Sequence, residues 1–168
     1  MKIGRDPEGA RDDLRDGTAD LWPRRATVVL SLVGVASMAA TSLLQTGVVR
    51  HLPDPPLPGF NSDKVNLSKT AYPFGIPDGT FGLLSFAANL PLAAFGGADR
   101  ARARPWLVVL AAAKALVDGA VSGWYFYQMP TKEKAWCAYC IAAQLASLGV
   151  AALILPEARR ALAQLRRG

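Results

Sequence analysis

Two cysteines three residues apart are the residues best suited to chemistry in this sequence. Cys137 and Cys140 are its only cysteines, and they lie in the run Trp136-Cys137-Ala138-Tyr139-Cys140 at the start of a long apolar segment. This spacing places both sulfurs on one face of a helix, close enough for a disulfide to form and break. If the helix begins just before the pair, its partly positive N-terminus stabilises a thiolate, the reactive form of cysteine.

Three other interpretations of the pair stay open: a static disulfide, part of a metal site, or two inert buried thiols. A zinc site normally has four ligands, and beyond the cysteines the chain offers only His51 and carboxylates. A disulfide across so short a spacing closes too small a loop to stabilise the fold much. We therefore expect redox exchange and no metal.

Four apolar segments must position the cysteines. They are residues 26–49, 80–97, 105–129 and 135–156, and each is near the roughly 20 residues that a membrane-spanning helix needs. The second segment is the weakest prediction, because Asn89 and Pro91 interrupt it. The fold class predicted is an all-α integral membrane four-helix bundle, with an extracytoplasmic loop between spans 1 and 2.

The ends of the chain differ from this membrane domain, which we place at residues 26–156. Residues 1–25 alternate acidic and basic side chains with few apolar ones, and are expected to form a disordered cytoplasmic tail. Residues 157–168 are predicted to form a basic cytoplasmic tail. The first span is longer than the apolar part of a signal peptide, and we expect it to be retained as an anchor.

Basic residues near the spans set the orientation, because membrane insertion tends to leave them in the cytoplasm. One side of a four-span chain carries Arg24, Arg25, Arg100, Arg102, Arg104, Arg159, Arg160, Arg166 and Arg167. The other side carries Arg50, Lys64, Lys69, Lys132 and Lys134. We predict a multi-pass inner (plasma) membrane protein with both termini cytoplasmic and the cysteines on the oxidising side. The net charge of +6 then belongs to the cytoplasmic rim and to no nucleic-acid site.

A dithiol on the outer side needs an electron partner, and the soluble nicotinamide pool lies across the bilayer. A lipid quinone is the obvious candidate. Lys114 and Asp118 lie four residues apart in the third span, on the same side of the helix. They are read either as a structural ion pair or as groups that transfer protons to the quinone.

The chain resembles the vitamin K epoxide reductase family over roughly residues 26–156. The CxxC that opens the last span carries the resemblance, together with the Phe74-Gly75-Ile76-Pro77 turn and Phe81-Gly82-Leu83-Leu84. Bacterial members resemble disulfide-bond oxidoreductases of DsbB type in function. The resemblance implies a quinone, ubiquinone or menaquinone, held in the bundle. It also implies that Cys140 faces the quinone and that Cys137 exchanges with an incoming thiol.

The same resemblance implies that two polar residues bind the quinone. Asp78 replaces an asparagine that donates a hydrogen bond to a quinone carbonyl, and a carboxyl donates only when protonated, which burial favours. The alternative is that Asp78 caps the second span. Gln144 stands where some members place a tyrosine hydroxyl. Its amide either donates to a carbonyl or bonds a neighbouring helix.

Typical members also hold a second cysteine pair in the first loop, where Leu67 is the nearest position here. Without that relay, the CxxC must meet its thiol partner directly, whether a thioredoxin-like protein or another thiol donor. The leading hypothesis is a membrane thiol:quinone oxidoreductase that supports extracytoplasmic disulfide formation. The alternative is a non-catalytic membrane module that assists the assembly or maturation of another redox protein.

Overall fold

Four long helices dominate the computed structural model, which describes residues 9, 11, 12, 15 and 21–167. They are α1 (Trp22–Gln45), α3 (Asp78–Ala94), α5 (Pro105–Gln128) and α6 (Ala138–Leu165), with the short helices α2 (Ser62–Asn66) and α4 (Arg100–Ala103) in the connections. Among these residues the extended pairing consists of one bridge, between Phe60 and Trp136. The fold is therefore all-α, and the predicted tail at residues 1–25 falls largely outside the described residues.

Three helical stretches are long and apolar enough to cross a bilayer: Trp22–Gln45, Pro105–Glu133 and Ala138–Leu165. The chain is thus a membrane protein. Helix α3 has 17 residues, fewer than the roughly 20 that span the hydrocarbon core. Its role as a fourth span remains a prediction.

The helices pack unevenly. Helix α1 lies along α3 and α6, and α6 lies along α5, whereas α3 and α5 touch only sparingly. Small residues allow the close approaches: a Cβ at Gly34 would overlap the ring of Phe86, and one at Gly149 would lie 2.6 Å from a methyl of Leu30. Contact between α3 and α5 instead runs through polar side chains, where Lys114 donates to Ser85 and Asn89.

Two arginines bind the free carbonyl groups at the C-terminal end of α3. Pro91 lies inside this helix, and the last carbonyls of any helix lack intrahelical partners. Arg24 donates to the carbonyl of Ala93 at 2.7 and 2.9 Å, and Arg100 donates to the carbonyl of Leu92. These cations therefore satisfy the backbone and the negative end of the helix dipole.

Arg100 also ties α4 to α6. It forms a two-pronged ion pair with Glu157, with both N–O distances 2.7 Å. Helix α6 continues through Pro156 to Leu165, so most of the segment predicted as a basic tail is helical. Arg100, which the sequence analysis placed in the basic rim, is 2% exposed.

We predict that Arg100→Met lowers the free energy of unfolding by about 3 kcal/mol, because it leaves Glu157 buried without its partner. Thermal unfolding in detergent measures the loss. Arg102→Met is the matched control, since the Arg102 side chain is 79% exposed and lies 3.9 Å from Asp99. Equal stabilities of the two variants would contradict this account.

Candidate active site

The two cysteines lie where α6 begins. Cys137 is the extended N-cap residue of the helix, and its sulfur accepts a hydrogen bond from the Cys140 N–H at 3.1 Å. The two form a disulfide with a Cα–Cα distance of 5.2 Å. Cys137 is fully buried, while Cys140 is half-buried. The helix terminus thus favours negative charge on Cys137.

The chain reverses direction between α5 and the cysteines. Helix α5 continues into a π-helical turn, Met129–Glu133, and Lys134 then takes a left-handed conformation with φ of 49°. Trp136 next pairs with the first loop: its N–H donates to Gly59 at 2.8 Å, and its carbonyl accepts from Asn61 at 2.9 Å. This backbone bridge holds the loop against the CxxC segment.

The first loop is anchored over the outer end of the helices. Asp54 accepts from the backbone N–H of Ser62 at 2.7 Å and also from its hydroxyl. The Tyr139 hydroxyl donates to the carbonyl of Pro53 at 3.0 Å. Ser62 is completely buried. Because these bonds join the loop to itself and to α6, residues 53–66 form a cover over the disulfide.

Asn66 is a site residue that the sequence reasoning missed. Its side-chain NH₂ donates to the Cys137 sulfur at 3.2 Å, and its side-chain oxygen lies 3.5 Å from the Cys140 sulfur. The residue is 2% exposed. The available signal was an asparagine in the polar stretch 61–68, but only the fold shows which polar residue reaches the sulfurs.

A cavity of about 270 Å³ lies directly below Cys140, between α1, α3, α5 and α6. Its walls are largely apolar and include Met38, Phe81 and Phe86. A cavity of about 150 Å³ already holds a benzene ring, so this one has room for a quinone ring. Residues of both α3 and α5, which include Ser85 and Asp118, contribute to its wall.

Two residues of the cavity wall each carry a buried polar atom without a partner. These atoms are the side-chain oxygen of Gln144 and the hydroxyl of Ser147. An unsatisfied buried polar group costs about 1–3 kcal/mol, and the two residues are 6% and 3% exposed. Amide O and N positions are interchangeable by a flip, so both side chains are able to donate to a carbonyl ligand. The residues present therefore fit a quinone.

Asp78 lines the same cavity from the first position of α3. The N-cap residue is Pro77, without a side-chain cap bond. Asp78 follows it as the first residue of the helix, where backbone hydrogen bonds from Asp78 and Gly79 reach its carboxyl. Its carboxylate accepts from the Gln45 amide at 2.6 Å, and the Gln45 side-chain oxygen accepts from the Gly79 N–H at 3.0 Å. Asp78 lies outside the three candidate spans. Burial raises the pKa of its carboxyl, and the hydrogen bond from Gln45 acts in the opposite direction.

Three of the four predicted site residues line the cavity, and the fourth does not. Cys140, Asp78 and Gln144 line one cavity, and Cys137 lies behind Cys140 under the loop. Of the aromatic residues near this level, Tyr125 reaches the cavity wall, while Trp124 is exposed. Within the described part of the chain, no three metal-ligating side chains come together.

Comparison with known proteins gives one match. The protein-family model described as Vitamin K epoxide reductase family matches residues 25–155. A comparison with curated proteins found no match. The matched range includes every residue that lines the cavity, and the cysteine pair.

We predict that Asn66→Leu makes the reduction potential of the disulfide about 30–60 mV more negative. A hydrogen bond to a charged group contributes about 1.5–3 kcal/mol, and about 1.4 kcal/mol corresponds to 30 mV for two electrons. The variant removes the donor that stabilises a Cys137 thiolate, so the reduced form loses stability. Equilibration with glutathione buffers measures the potential.

Asn61→Leu provides the control for this variant. Asn61 lies in the same loop and caps α2 through the Lys64 N–H at 2.8 Å, with no sulfur contact among its hydrogen bonds. Its replacement weakens the cover without touching the cysteines. If both variants shift the potential equally, loop stability explains the effect and the role of Asn66 is wrong.

Proposed function

The chain belongs to the vitamin K epoxide reductase family, and on that premise we propose that it is a membrane thiol:quinone oxidoreductase. Family membership indicates thiol-based redox chemistry at a membrane. The finer proposal is that Cys137 and Cys140 exchange electrons with a lipid quinone, ubiquinone or menaquinone, and support disulfide formation outside the cytoplasm. The observation that best supports this proposal is that Cys140 lies in the wall of a ring-sized cavity, together with residues that bear unpartnered polar groups.

The reaction balances without another reductant. Two thiols of the CxxC pair lose two electrons and two protons as the S–S bond forms. A bound quinone supplies the acceptor for both electrons and both protons, leaving a quinol. A partner dithiol then reduces the pair again and becomes a disulfide itself.

Within this cycle, the two cysteines have different roles. A thiolate of the partner attacks the Cys137 sulfur and breaks the internal disulfide, so that Cys140 leaves as the thiolate beside the cavity. The second partner thiol then displaces Cys137. The Cys140 N–H and the Asn66 amide both donate to the Cys137 sulfur, which makes it a good leaving group.

Attack on Cys137 requires the cover to move, because Cys137 is fully buried. The bridge between Trp136 and residues 59–61 consists of two backbone hydrogen bonds, each contributing about 1 kcal/mol net. Opening this bridge therefore costs much less free energy than unfolding the protein. The absence of cysteines from the loop means that a thioredoxin-like protein or other thiol donor must contact Cys137 itself.

Asp78 and Gln144 are proposed as the groups that hold the ring oxygen nearer the cysteines. A quinone carbonyl only accepts hydrogen bonds, so Gln144 serves it through its NH₂ group. Asp78 serves it when protonated, and the raised pKa of its buried carboxyl supports that state. Both side chains lie in the cavity that Cys140 enters.

We place the cysteines on the extracytoplasmic side of the inner membrane, with both termini in the cytoplasm. The support is the separation of charge along the helices. Arg24 and Arg100 lie together at the inner end of α3, at the opposite end from Asp78. The domain limits proposed remain 26–156 for the membrane domain, flanked by the two tails.

A second function has support from one feature, the lack of loop cysteines. Together with the burial of Cys137, this feature fits a non-catalytic membrane module that helps another redox protein to assemble. Such a module requires no electron transfer through Cys140. The two functions make opposite predictions about trapped intermediates.

We expect purified protein to reduce ubiquinone-1 or menadione with a dithiol donor, and Cys140→Ser to abolish that activity. The reason is that no disulfide can form when one sulfur is missing. Quinone absorbance measures the rate, and thermal unfolding checks that the variant is folded. Equal rates for the wild type and a folded Cys140→Ser protein would refute the proposed enzyme.

In cells, Cys140→Ala should accumulate a mixed disulfide between Cys137 and its thiol partner, because the resolving sulfur is absent. Non-reducing electrophoresis followed by mass spectrometry detects it. Asp54→Ala in the same background should increase the trapped amount, since Asp54 anchors the cover through Ser62. The matched control, Cys137→Ala, should trap little, and no adduct in any variant would favour the assembly module.

A further inference from the structure

The inner wall of the cavity carries a polar group that the proposed function does not use. Ser147 follows Cys140 by seven residues on α6, about 10 Å deeper at about 1.5 Å per residue. It lines the same cavity, is 3% exposed, and its hydroxyl has no hydrogen-bond partner. A buried hydroxyl without a partner, on a residue that lines a cavity, suits a ligand oxygen that accepts hydrogen bonds.

Facing it from α3 and α5 is a connected charged cluster. The Lys114 ammonium donates to Ser85 at 2.9 Å, to Asn89 at 2.8 Å and to Asp118 at 2.6 Å. Ser85 in turn donates to Asp118 at 2.9 Å. Ser85 and Asp118 both line the cavity. The cluster is thus internally satisfied and has one side turned to the cavity.

The position of this cluster allows a role beyond a structural ion pair. Charged side chains inside a span are costly and are rare unless they are paired or functional. Because α3 and α5 hardly touch elsewhere, the bonds from Lys114 to Ser85 and Asn89 also link these two helices. Ser85 and Asp118 line the same cavity as Ser147, and Lys114 bonds to both of them.

We propose that Ser147, Ser85, Asp118 and Lys114 form an inner subsite that binds the second ring oxygen of the quinone. Ser147 donates its free hydrogen to that oxygen. Ser85 adds a second donor when its hydroxyl turns from Asp118 to the cavity. The inference rests on the proposed function, because it assigns the end of the same quinone site away from the cysteines.

Lys114 has a separate role in this subsite. The cysteine pair gives two electrons as its S–S bond forms, and the two protons released by the thiols go to the two ring oxygens. Lys114 stabilises the negative charge on the inner oxygen before its proton arrives. A fixed cation in a water-poor site is effective for this purpose. No proton from Lys114 is consumed.

Quinone binding tests the inner subsite directly. Isothermal titration of the purified, oxidised protein in detergent with ubiquinone-1 and with menadione should show that Ser147→Ala weakens binding about fivefold. That loss corresponds to one hydrogen bond of about 1 kcal/mol. Ser31→Ala is the matched control, because Ser31 is also buried and unpartnered but lies on α1 outside the cavity wall.

The outcomes separate this inference from the proposed function. If the wild type binds neither quinone, the proposed function fails. If the wild type binds, and Ser147→Ala and Ser31→Ala bind equally well, the inner subsite is wrong while the proposed function stands. Weaker binding by Ser147→Ala alone supports the subsite.

A charge-neutral double variant tests the cluster. Lys114→Met with Asp118→Leu removes both charges and leaves neither one unpaired. We expect quinone reduction at saturating quinone to slow by at least about tenfold, with unchanged reaction of the cysteines with a dithiol in the absence of quinone. Unchanged quinone reduction in the folded double variant would overturn the role of Lys114.

Discussion

The contact between the Asn66 amide and the two sulfurs is the interaction on which the rest of the structure depends. It joins the first loop to the start of α6 through a side chain that is 2% exposed. A buried amide must be paired, so the cover, the helix terminus and the disulfide form one unit. Gln45 extends this unit by donating to the Asn66 carbonyl at 3.1 Å and to Asp78 at 2.6 Å. The side-chain amides of Gln45 and Asn66 therefore hold together the residues around the cysteine end of the cavity.

The two ends of the helices are held by different kinds of contact. At the C-terminal end of α3, Arg24 and Arg100 donate to carbonyls that the helix leaves free near Pro91. At the other end, the first loop is held by a few backbone bonds, the Asp54–Ser62 contact and the bond from Tyr139 to Pro53. Charged side chains thus bind one end of the helices, and the loop that covers Cys137 binds the other.

Several predictions from the sequence agree with the structure, and particular residues show why. The apolar segments became long helices because their composition alone favours burial in lipid, and the cysteine spacing places both sulfurs at a helix start for purely local reasons. The limits of α6 were less accurate, since Pro156 usually ends a helix, yet here the helix continues through it and Glu157 pairs with Arg100. The capping role considered for Asp78 stays a prediction, because Pro77 is the N-cap residue but the Asp78 carboxyl accepts both from Gln45 and from backbone N–H groups at the start of α3.

By itself, the sequence determined what depends on near neighbours and on composition: the cysteine pair at a helix start, the helical segments, and the uneven distribution of basic residues. Only the tertiary structure decided which polar residues meet the sulfurs and the cavity. Asn66 and Cys137 are 71 residues apart in the chain, and Lys114 and Ser85 are 29 apart. Such contacts arise when packed helices bring distant positions together, and no local spacing specifies them. The same reason explains why Ser147 resembles any other small residue of an apolar helix until the cavity beside it is seen.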